Sequence, residues 1–293
     1  FANTMMGFKE CFKFDLSKSQ AALNAISGGA ALFSFTGMSF SVGKKSLDYA
    51  QQYLSVNDGQ VSPYYFKMFE TIHNYLSGTW DCSLGEEYIE YDIKIGETFC
   101  AATHLLYIGY FYMERGDFHK TWEIIDRLKV ISEEFNTDHA SVMYYTLIIS
   151  LLSKQDKMRE ALDLIDHGLA TAQNIGLSNR CFAFLGMLLQ IKVNIGQLNQ
   201  INKTFNAIEK HIEQEKRIVP YYYSNYIKGI SLYHIYYLEY AFYDQNNEQI
   251  SKYKPLASKS IFKAIKNSQK VFFDKPQTFC LVGRYYWIIN KQK

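Results

Sequence analysis

Histidines and cysteines are the side chains of this sequence that could hold a metal ion or act as nucleophiles. The seven histidines contain no pair separated by three or four residues, so no single helix offers the two imidazoles of a metal site. The five cysteines are scattered and form no C-x-x-C pair, a pattern typical of a reduced cytoplasmic protein. We therefore predict no metal and no cofactor. His104 and His234 lie in aromatic helical segments, and we interpret them as core side chains.

The glycine- and lysine-rich segment 37–46 has the composition of a phosphate-binding loop but not its spacing. Such a loop needs four residues between its two glycines, and a Ser or Thr directly after the lysine to reach the metal. Here five residues separate Gly37 from Gly43, and Lys45 follows Lys44. We predict a turn between two helices in this segment, and a chain that neither binds nor hydrolyses ATP.

The acidic segment 86–92 is the remaining candidate for catalysis, since paired carboxyl groups can act as acid and base. Ile89 and Ile93 give this segment an apolar stripe at helical spacing, so we interpret its carboxylates as a solvated helix face. The G-x-S-x-G, H-E-x-x-H and G-x-G-x-x-G signatures do not occur. The sequence predicts no catalytic residues and a protein that is not an enzyme.

The elements that would position these side chains are helices. Apolar residues recur at positions i, i+3, i+4 and i+7 through most of the 293 residues, which contain only four prolines. With 48% hydrophobic residues, the chain can bury a core for one large or two ordinary domains. A formal net charge of +2 gives no electrostatic support for nucleic acid or an anionic membrane as a direct partner. The longest apolar stretch, 142–149, is too short for a membrane span and predicts a buried helix.

A helical hairpin recurs along the sequence with a period of about 40 residues, within the range of known helical repeats. Thr121, Ala161 and Ile201 are spaced at this period and fall at the same place in three predicted second helices. Gly116 is predicted to end a first helix in the left-handed conformation. This pattern predicts an all-α fold, a right-handed superhelical solenoid of antiparallel helix pairs over residues 59–293. Residues 1–58 repeat less clearly and are predicted to form an atypical N-terminal helical cap, continuous with the repeats.

Four residues of the clearest hairpin resemble a tetratricopeptide repeat. Gly109, Tyr112, Gly116 and Phe118 look like its small, aromatic, turn-glycine and aromatic positions, although the period here is longer than the usual length of about 34 residues. The segments 160–172 and 283–289 resemble the degenerate repeats that follow the ATPase module in large bacterial signalling ATPases. These include MalT-like regulators and the ATPases fused to nucleotide cyclases or protein kinases.

The resemblance implies a non-catalytic module of a larger protein. Its partner would be a protein, a peptide, or another domain of the same polypeptide, and binding would alter a signalling ATPase or effector. The first and last residues suggest an excised piece of a larger chain. The alternative is a peptide-pheromone sensor domain of a transcriptional regulator, in which Lys192, Asn194 and Asn202 would clamp a peptide backbone.

A tyrosine-rich helix, predicted from about Pro220 to Tyr243, is the best candidate for a binding surface. The repeat period breaks here, and five tyrosines recur near one face of the helix. Tyrosine presents a rigid apolar ring and a polar tip, which suits a groove for peptides or planar ligands. Packing against helices on both sides is the competing interpretation. The candidate groove residues are Tyr222, Tyr226, Tyr233, Tyr237 and Tyr240.

Overall fold

The computed structural model describes residues 2–54, 63–215 and 218–290, and helices make up most of them. No strand occurs in these ranges. The chain divides into two compact units, Phe1–Leu147 and Ile148–Lys293. The fold is therefore all-α, as predicted. The predicted boundary of the N-terminal cap at residue 58 lies outside the described residues.

The first unit is built from helices that pack against neighbours in sequence. α2 contacts α3 and α4, α4 contacts α6, and α6 lies between α5 and α7. The helices are α1 (Ala2–Cys11), α2 (Gln20–Thr36), α3 (Phe40–Leu54), α4 (Pro63–Ser77), α5 (Glu87–Lys94), α6 (Thr98–Glu114) and α7 (Phe118–Glu134); α8 (Asp138–Lys154) contains the boundary between the units.

The second unit follows the same rule of neighbour packing. α10 contacts α9, α11 and α12, and α12 contacts α13 and α14. Its helices are α9 (Met158–Asn174), α10 (Ser178–Asn194), α11 (Ile201–Gln214), α12 (Pro220–Tyr243), α13 (Asn247–Ser268) and α14 (Lys275–Asn290), with short 3-10 turns at Leu198–Gln200 and Phe272–Asp274.

Residues with positive φ end the helices at a regular interval. Six of them lie 20 residues apart along the chain. After each one, the amide of the next residue donates to the carbonyl of the residue five positions before that amide. This bond closes the last turn of a helix and needs the left-handed conformation. Two of the six are not glycine, which sequence reasoning based on Gly116 did not anticipate. The six are Gly96, Gly116, Asn136, Asp156, Gly176 and Gly196.

The predicted recurrence is confirmed at the level of secondary structure. α6, α8 and α10 begin at Thr98, Asp138 and Ser178, and each has 17 residues. Thr121 and Ala161 are the fourth residues of α7 and α9, and both are fully buried. Ile201 is buried too and follows a 3-10 turn that starts at the equivalent position.

First and second helices of these pairs bury different parts of their surface. α6 and α10 bury side chains around most of their circumference. In α9 the buried residues follow a single stripe at steps of four, three and four, namely Ala161, Ile165, Gly168 and Ala172. A helix covered on several sides needs apolar residues all round, whereas an outer helix needs only one stripe.

The segment 37–46 forms the predicted turn between helices and no phosphate-binding loop. Gly37 ends α2 with φ 59°, and the Ser39 hydroxyl accepts a hydrogen bond from the amide of Val42 in the first turn of α3. Gly43 and Lys44 lie inside α3, and Lys44 pairs with Asp48. Among the described helices, none has both the length and the hydrophobicity that crossing a lipid bilayer requires.

We expect Gly116→Val to lower the free energy of unfolding by about 1–2 kcal/mol, because a β-branched residue is strained in the left-handed conformation. Gly116 has φ 80°, and a Cβ built there would meet no atom within 4 Å, so the loss comes from the backbone and not from a clash. Urea denaturation followed by circular dichroism measures it.

Gly283→Ala is the matched control, since a Cβ at Gly283 also meets open space but the residue lies inside α14 without positive φ. It should hold stability constant or raise it by up to ~1 kcal/mol. An unchanged midpoint for Gly116→Val would contradict the role given to this turn.

Candidate functional site

α12 is the longest helix of the second unit, with 24 residues, and its ends are set locally. Pro220 occupies its first turn, where the missing amide hydrogen costs nothing. At the other end Gln245 has φ 53°, and the amide of Asn246 donates to the carbonyl of Ala241. The Asn246 side chain then accepts from the amide of Gln249 and begins α13. α12 and α13 therefore form a hairpin with a short turn.

Two glycines let α10 and α12 approach closely. A Cβ built at Gly186 would lie 2.5 Å from the backbone nitrogen of Tyr226. A Cβ built at Gly229 would lie 3.0 Å from Cγ of Leu189. Each contact joins residues that are 40 positions apart in sequence, so the two helices run parallel. Residues 235–243 of α12 therefore extend past the end of α10 at Asn194.

A chain of aromatic rings runs along the middle of α12. Tyr223 stacks on Phe182 of α10, with 5.9 Å between the ring centroids, and Tyr226 meets the same ring edge-on at 5.7 Å. Tyr233 contacts Phe205 of α11 at 5.0 Å. Edge-to-face and offset stacked rings at these distances stabilise a core beyond the area they bury.

Tyr237 and Tyr222 extend this aromatic chain in both directions. Tyr237 lies 4.8 Å from Tyr233 and stacks on Tyr253 of α13 at 5.0 Å. Near the start of α12, Tyr222 packs on Tyr221 and faces the guanidinium of Arg180 at 5.2 Å. Four of the five predicted groove tyrosines are therefore half-buried among other side chains and none of the four is fully buried.

Tyr240 differs from the other four predicted residues. It is 56% exposed, and Tyr243 is 84% exposed, on the segment of α12 that extends past α10. A hydrogen bond to Asp244 raises the pKa of Tyr240. The structure thus separates the five tyrosines into four packed rings and one exposed ring. That they line one ligand groove stays a prediction.

Burial sets the acidity of the packed tyrosines. It raises the pKa of Tyr226 to about 12, with the charges of Tyr223 and Glu209 adding to the effect. It also raises the pKa of Tyr233. Within the described ranges the Tyr226 hydroxyl makes no hydrogen bond, although its ring is packed between Phe182 and Tyr223. These phenols stay neutral at physiological pH.

A buried ion pair fixes α12 to the segment before α14, and sequence reasoning missed it. Lys228 Nζ donates to Asp274 Oδ1 at 2.8 Å and to Gln277 Oε1 at 3.0 Å. Lys228 is 9% exposed and Asp274 is 2% exposed. A buried charge of this kind is tolerated because its partner and additional hydrogen bonds compensate its desolvation. The sequence offered one signal for this pair. Lys228 falls on the face of α12 that carries Ser224, Ile227 and Ser231, where a solvated lysine is not expected.

Asp92 of the first unit is a second unpredicted feature. The acidic segment was interpreted as a solvated face, which is wrong for this residue: Asp92 is fully buried, whereas Glu87 and Glu90 are exposed. Asp92 and Ile89 lie three residues apart on α5 and both point into the core. Neither carboxyl oxygen of Asp92 has a hydrogen-bond partner among the described residues.

The surroundings of Asp92 favour its protonated form. Burial, together with the charge of Glu97, raises the pKa of Asp92 to about 7. Cys100 lies close enough to Asp92 and Glu97 that both charges, after burial as the main cause, raise the pKa of its thiol to about 12. Tyr65 donates a hydrogen bond to Glu97 at 3.1 Å. Asp92 can therefore bind and release a proton near neutral pH, whereas the Cys100 thiol stays protonated.

The buried histidines are core side chains, as the sequence predicted for His104. Its Nε2 lies 2.8 Å from the carbonyl oxygen of Leu84 and 3.0 Å from the hydroxyl of Thr71, and burial lowers its pKa to about 3. His234 is half-buried, with its Nδ1 3.3 Å from the Ser260 hydroxyl and its pKa lowered by burial to about 4. Both are neutral at pH 7. Within the described part of the chain, no group of His, Cys, Asp and Glu is placed to hold a metal ion.

The three residues named for a peptide clamp lie in the last turn of α10 and the first turn of α11, and their role in binding a peptide stays a prediction. Lys192 is half-buried and donates to the Thr204 hydroxyl at 3.2 Å, and burial lowers its pKa. Asn194 and Asn202 are exposed at the end of α10 and the start of α11.

A scan against protein-family profiles and a search of curated proteins found no match to this chain. The interpretation of function therefore depends on the geometry.

We expect Asp92→Asn to raise the free energy of unfolding at pH 7 and above by about 2–4 kcal/mol relative to wild type. At these pH values the buried carboxyl group of the wild type must either carry a charge or bind a proton that the solvent would otherwise take up. The Asn side chain has neither cost. The native pKa of about 7 lies above the ordinary value of 3.8. The native state therefore binds the proton more tightly. Protonation of Asp92 therefore stabilises the native state fully below about pH 4. This stabilisation falls as the pH rises from about 4 to about 7 and is absent above about pH 7.

The measurement is urea denaturation between about pH 5 and pH 8, where the advantage of Asp92→Asn should grow up to about pH 7 and then level off. Glu90→Gln is the control on the same helix, because Glu90 is exposed and its pair with Arg127 lies at the surface. An advantage of Asp92→Asn that is independent of pH would contradict the raised pKa.

Tyr226→Phe should change the free energy of unfolding by less than about 0.5 kcal/mol, because the hydroxyl has no partner to lose. Tyr226→Ala should lower it by about 2–3 kcal/mol, since the ring packs on Phe182. A large loss in the Phe variant would show that the hydroxyl is bonded inside the core.

Proposed function

We propose that this chain is a non-catalytic helical-repeat module of the tetratricopeptide-like type, and that the exposed end of α12 binds a protein or peptide partner. In the larger protein such a module would pass the binding event to a signalling ATPase or effector in the cytoplasm. The observation that carries the proposal is the exposure of Tyr240 and Tyr243 on a helix that is otherwise held firmly.

The binding surface would be the tyrosine platform, which we define as Tyr236, Tyr240 and Tyr243. These residues are spaced four and three apart, so their side chains lie on one face of α12. Tyr236 is half-buried against the aromatic core, whereas the other two rings are solvated. Tyrosines of this kind supply large contact area at small entropic cost, and they are enriched at the centres of protein interfaces.

Rigid support makes this platform a better binding surface than isolated exposed rings. Its helix is held by the close contact of Gly229 with Leu189 and by the buried pair of Lys228 and Asp274. Next to Tyr240 on the same helix, Glu239 pairs with Arg284 of α14. Aromatic rings beside an ion pair match the apolar centre and polar rim of a protein interface.

The experiment is a selection from a displayed library of random peptides of about 12 residues on the isolated chain, followed by affinity measurement of the enriched peptides. We expect Tyr240→Ala/Tyr243→Ala to weaken their binding at least about tenfold, since truncation of interface tyrosines commonly costs more than about 1 kcal/mol. Thermal unfolding of the variant should match that of the wild type, because both rings are exposed.

Tyr91→Ala is the control, since Tyr91 is 53% exposed on α5 of the other unit. It should bind the same peptides as the wild type does. Peptides that bind equally well to wild type and to Tyr240→Ala/Tyr243→Ala would overturn the assignment of the platform.

A further inference from the structure

The exposed face of α13 carries a line of lysines. Four of them follow one another at steps of seven, four and three residues, which keeps them within one face of an α-helix. All four are exposed. At about 1.5 Å per residue, the line is about 21 Å long. We call it the lysine stripe, and its members are Lys252, Lys259, Lys263 and Lys266.

The charge of the lysine stripe is not compensated within its segment. Residues 247–275 contain seven lysines but only two acidic residues, Glu248 and Asp274. Asp274 is buried and already paired with Lys228. No stripe lysine forms an ion pair within the described residues, and Lys252 faces the ring of Tyr253 at 5.1 Å. The stripe therefore offers positive charge that no carboxylate of the described residues compensates.

Apolar side chains interrupt the stripe at two places. Phe262 is 69% exposed and lies three residues after Lys259 and four before Lys266. Leu256 is 37% exposed and lies in a similar way between Lys252 and Lys259. A partner that lies along this line of charges would therefore also contact two exposed apolar side chains.

We propose that the lysine stripe binds an acidic, amphipathic helical segment of a protein partner. Lys259, Lys263 and Lys266 repeat at steps of four and three, which is the spacing of carboxylates along one face of a partner helix. Apolar residues between those carboxylates would cover Phe262 and Leu256. The stripe thus selects a partner by charge and by apolar contact together.

The charge distribution favours a peptide over a polyphosphate or a lipid surface. Duplex nucleic acid and anionic membranes are held by broad positive fields, whereas this chain has a net charge of +2 and concentrates its excess on one helix. Phe262 in the middle of the line would face the phosphates of a duplex without a ring to stack on. The inference does not rest on the tyrosine platform, because the lysine stripe lies on a different helix.

The probe is a fluorescent, helix-forming peptide of about 18 residues with Glu at positions i, i+4, i+7 and i+11 and Leu between them, tested by anisotropy at low salt. We expect saturable binding that weakens at least about tenfold when Glu is replaced by Gln, and that falls as salt is raised. Lys259→Glu/Lys263→Glu/Lys266→Glu should weaken binding at least about tenfold as well.

The matched control is Lys203→Glu/Lys210→Glu/Lys254→Glu, which changes the net charge equally at exposed lysines of the same unit outside the stripe. It should bind nearly as the wild type does. Equal weakening by both triple variants would overturn the proposal, as would equal binding of the Gln peptide. The neutral variant Lys259→Gln/Lys263→Gln/Lys266→Gln repeats the test if charge reversal affects folding, and circular dichroism verifies each variant.

Two further probes test the choice of partner. Single-stranded RNA of about 20 nucleotides and vesicles that contain anionic phosphatidylserine should bind more weakly than the peptide at equal salt. Tighter binding of either one, lost in the stripe variant, would overturn the assignment to a protein partner. Phe262→Ala should weaken the peptide more than RNA. Tyr240→Ala/Tyr243→Ala should leave the acidic peptide unaffected, so a failure of the platform and a failure of the stripe give different results.

Discussion

The left-handed residue that ends a helix is the constraint on which the rest of the structure depends. At a constant interval from Gly96 to Gly196, one such residue lets the following amide bond back to the helix just completed. Each bond fixes where a helix stops, and so where the next one can begin. Because the interval is constant, the helices between these turns have equal length, and the fourth residues of the second helices α7 and α9, Thr121 and Ala161, are both buried. Core packing follows from turn chemistry here.

The sequence showed the period of the repeat but not all of its turns. Gly116 could be identified because glycine is the usual residue at such a position, and Thr121, Ala161 and Ile201 recur because all three are buried. Asn136 and Asp156 adopt the same conformation without being glycine, so a search for glycine finds only part of the series. The division at Leu147 and Ile148 falls inside α8, where no proline, glycine or polar linker marks it.

The candidate surfaces were predicted unevenly, for reasons that lie in how a helix is surrounded. Helical spacing placed Tyr222, Tyr226, Tyr233, Tyr237 and Tyr240 near one face, but spacing does not say how far the neighbouring helix extends. Tyr237 and Tyr240 both lie past the end of α10, but Tyr237 stacks on Tyr253 of α13 whereas Tyr240 is exposed. Asp92 was misjudged because its acidic neighbours are solvated. The lysine stripe was hidden by a whole-chain net charge near zero, although its periodicity could be found in the sequence.

The two glycines between α10 and α12 differ in how sequence change can be accommodated. A methyl group at Gly186 would collide with backbone atoms of Asn225 and Tyr226, and no substitution on α12 can remove a backbone atom. At Gly229 the obstruction is the side chain of Leu189, supported by Gln190, so a smaller residue at position 189 could make room. Gly186 is therefore a fixed requirement of this packing arrangement. Gly229 and Leu189 can be substituted together, because a smaller residue at position 189 makes room for a larger residue at position 229.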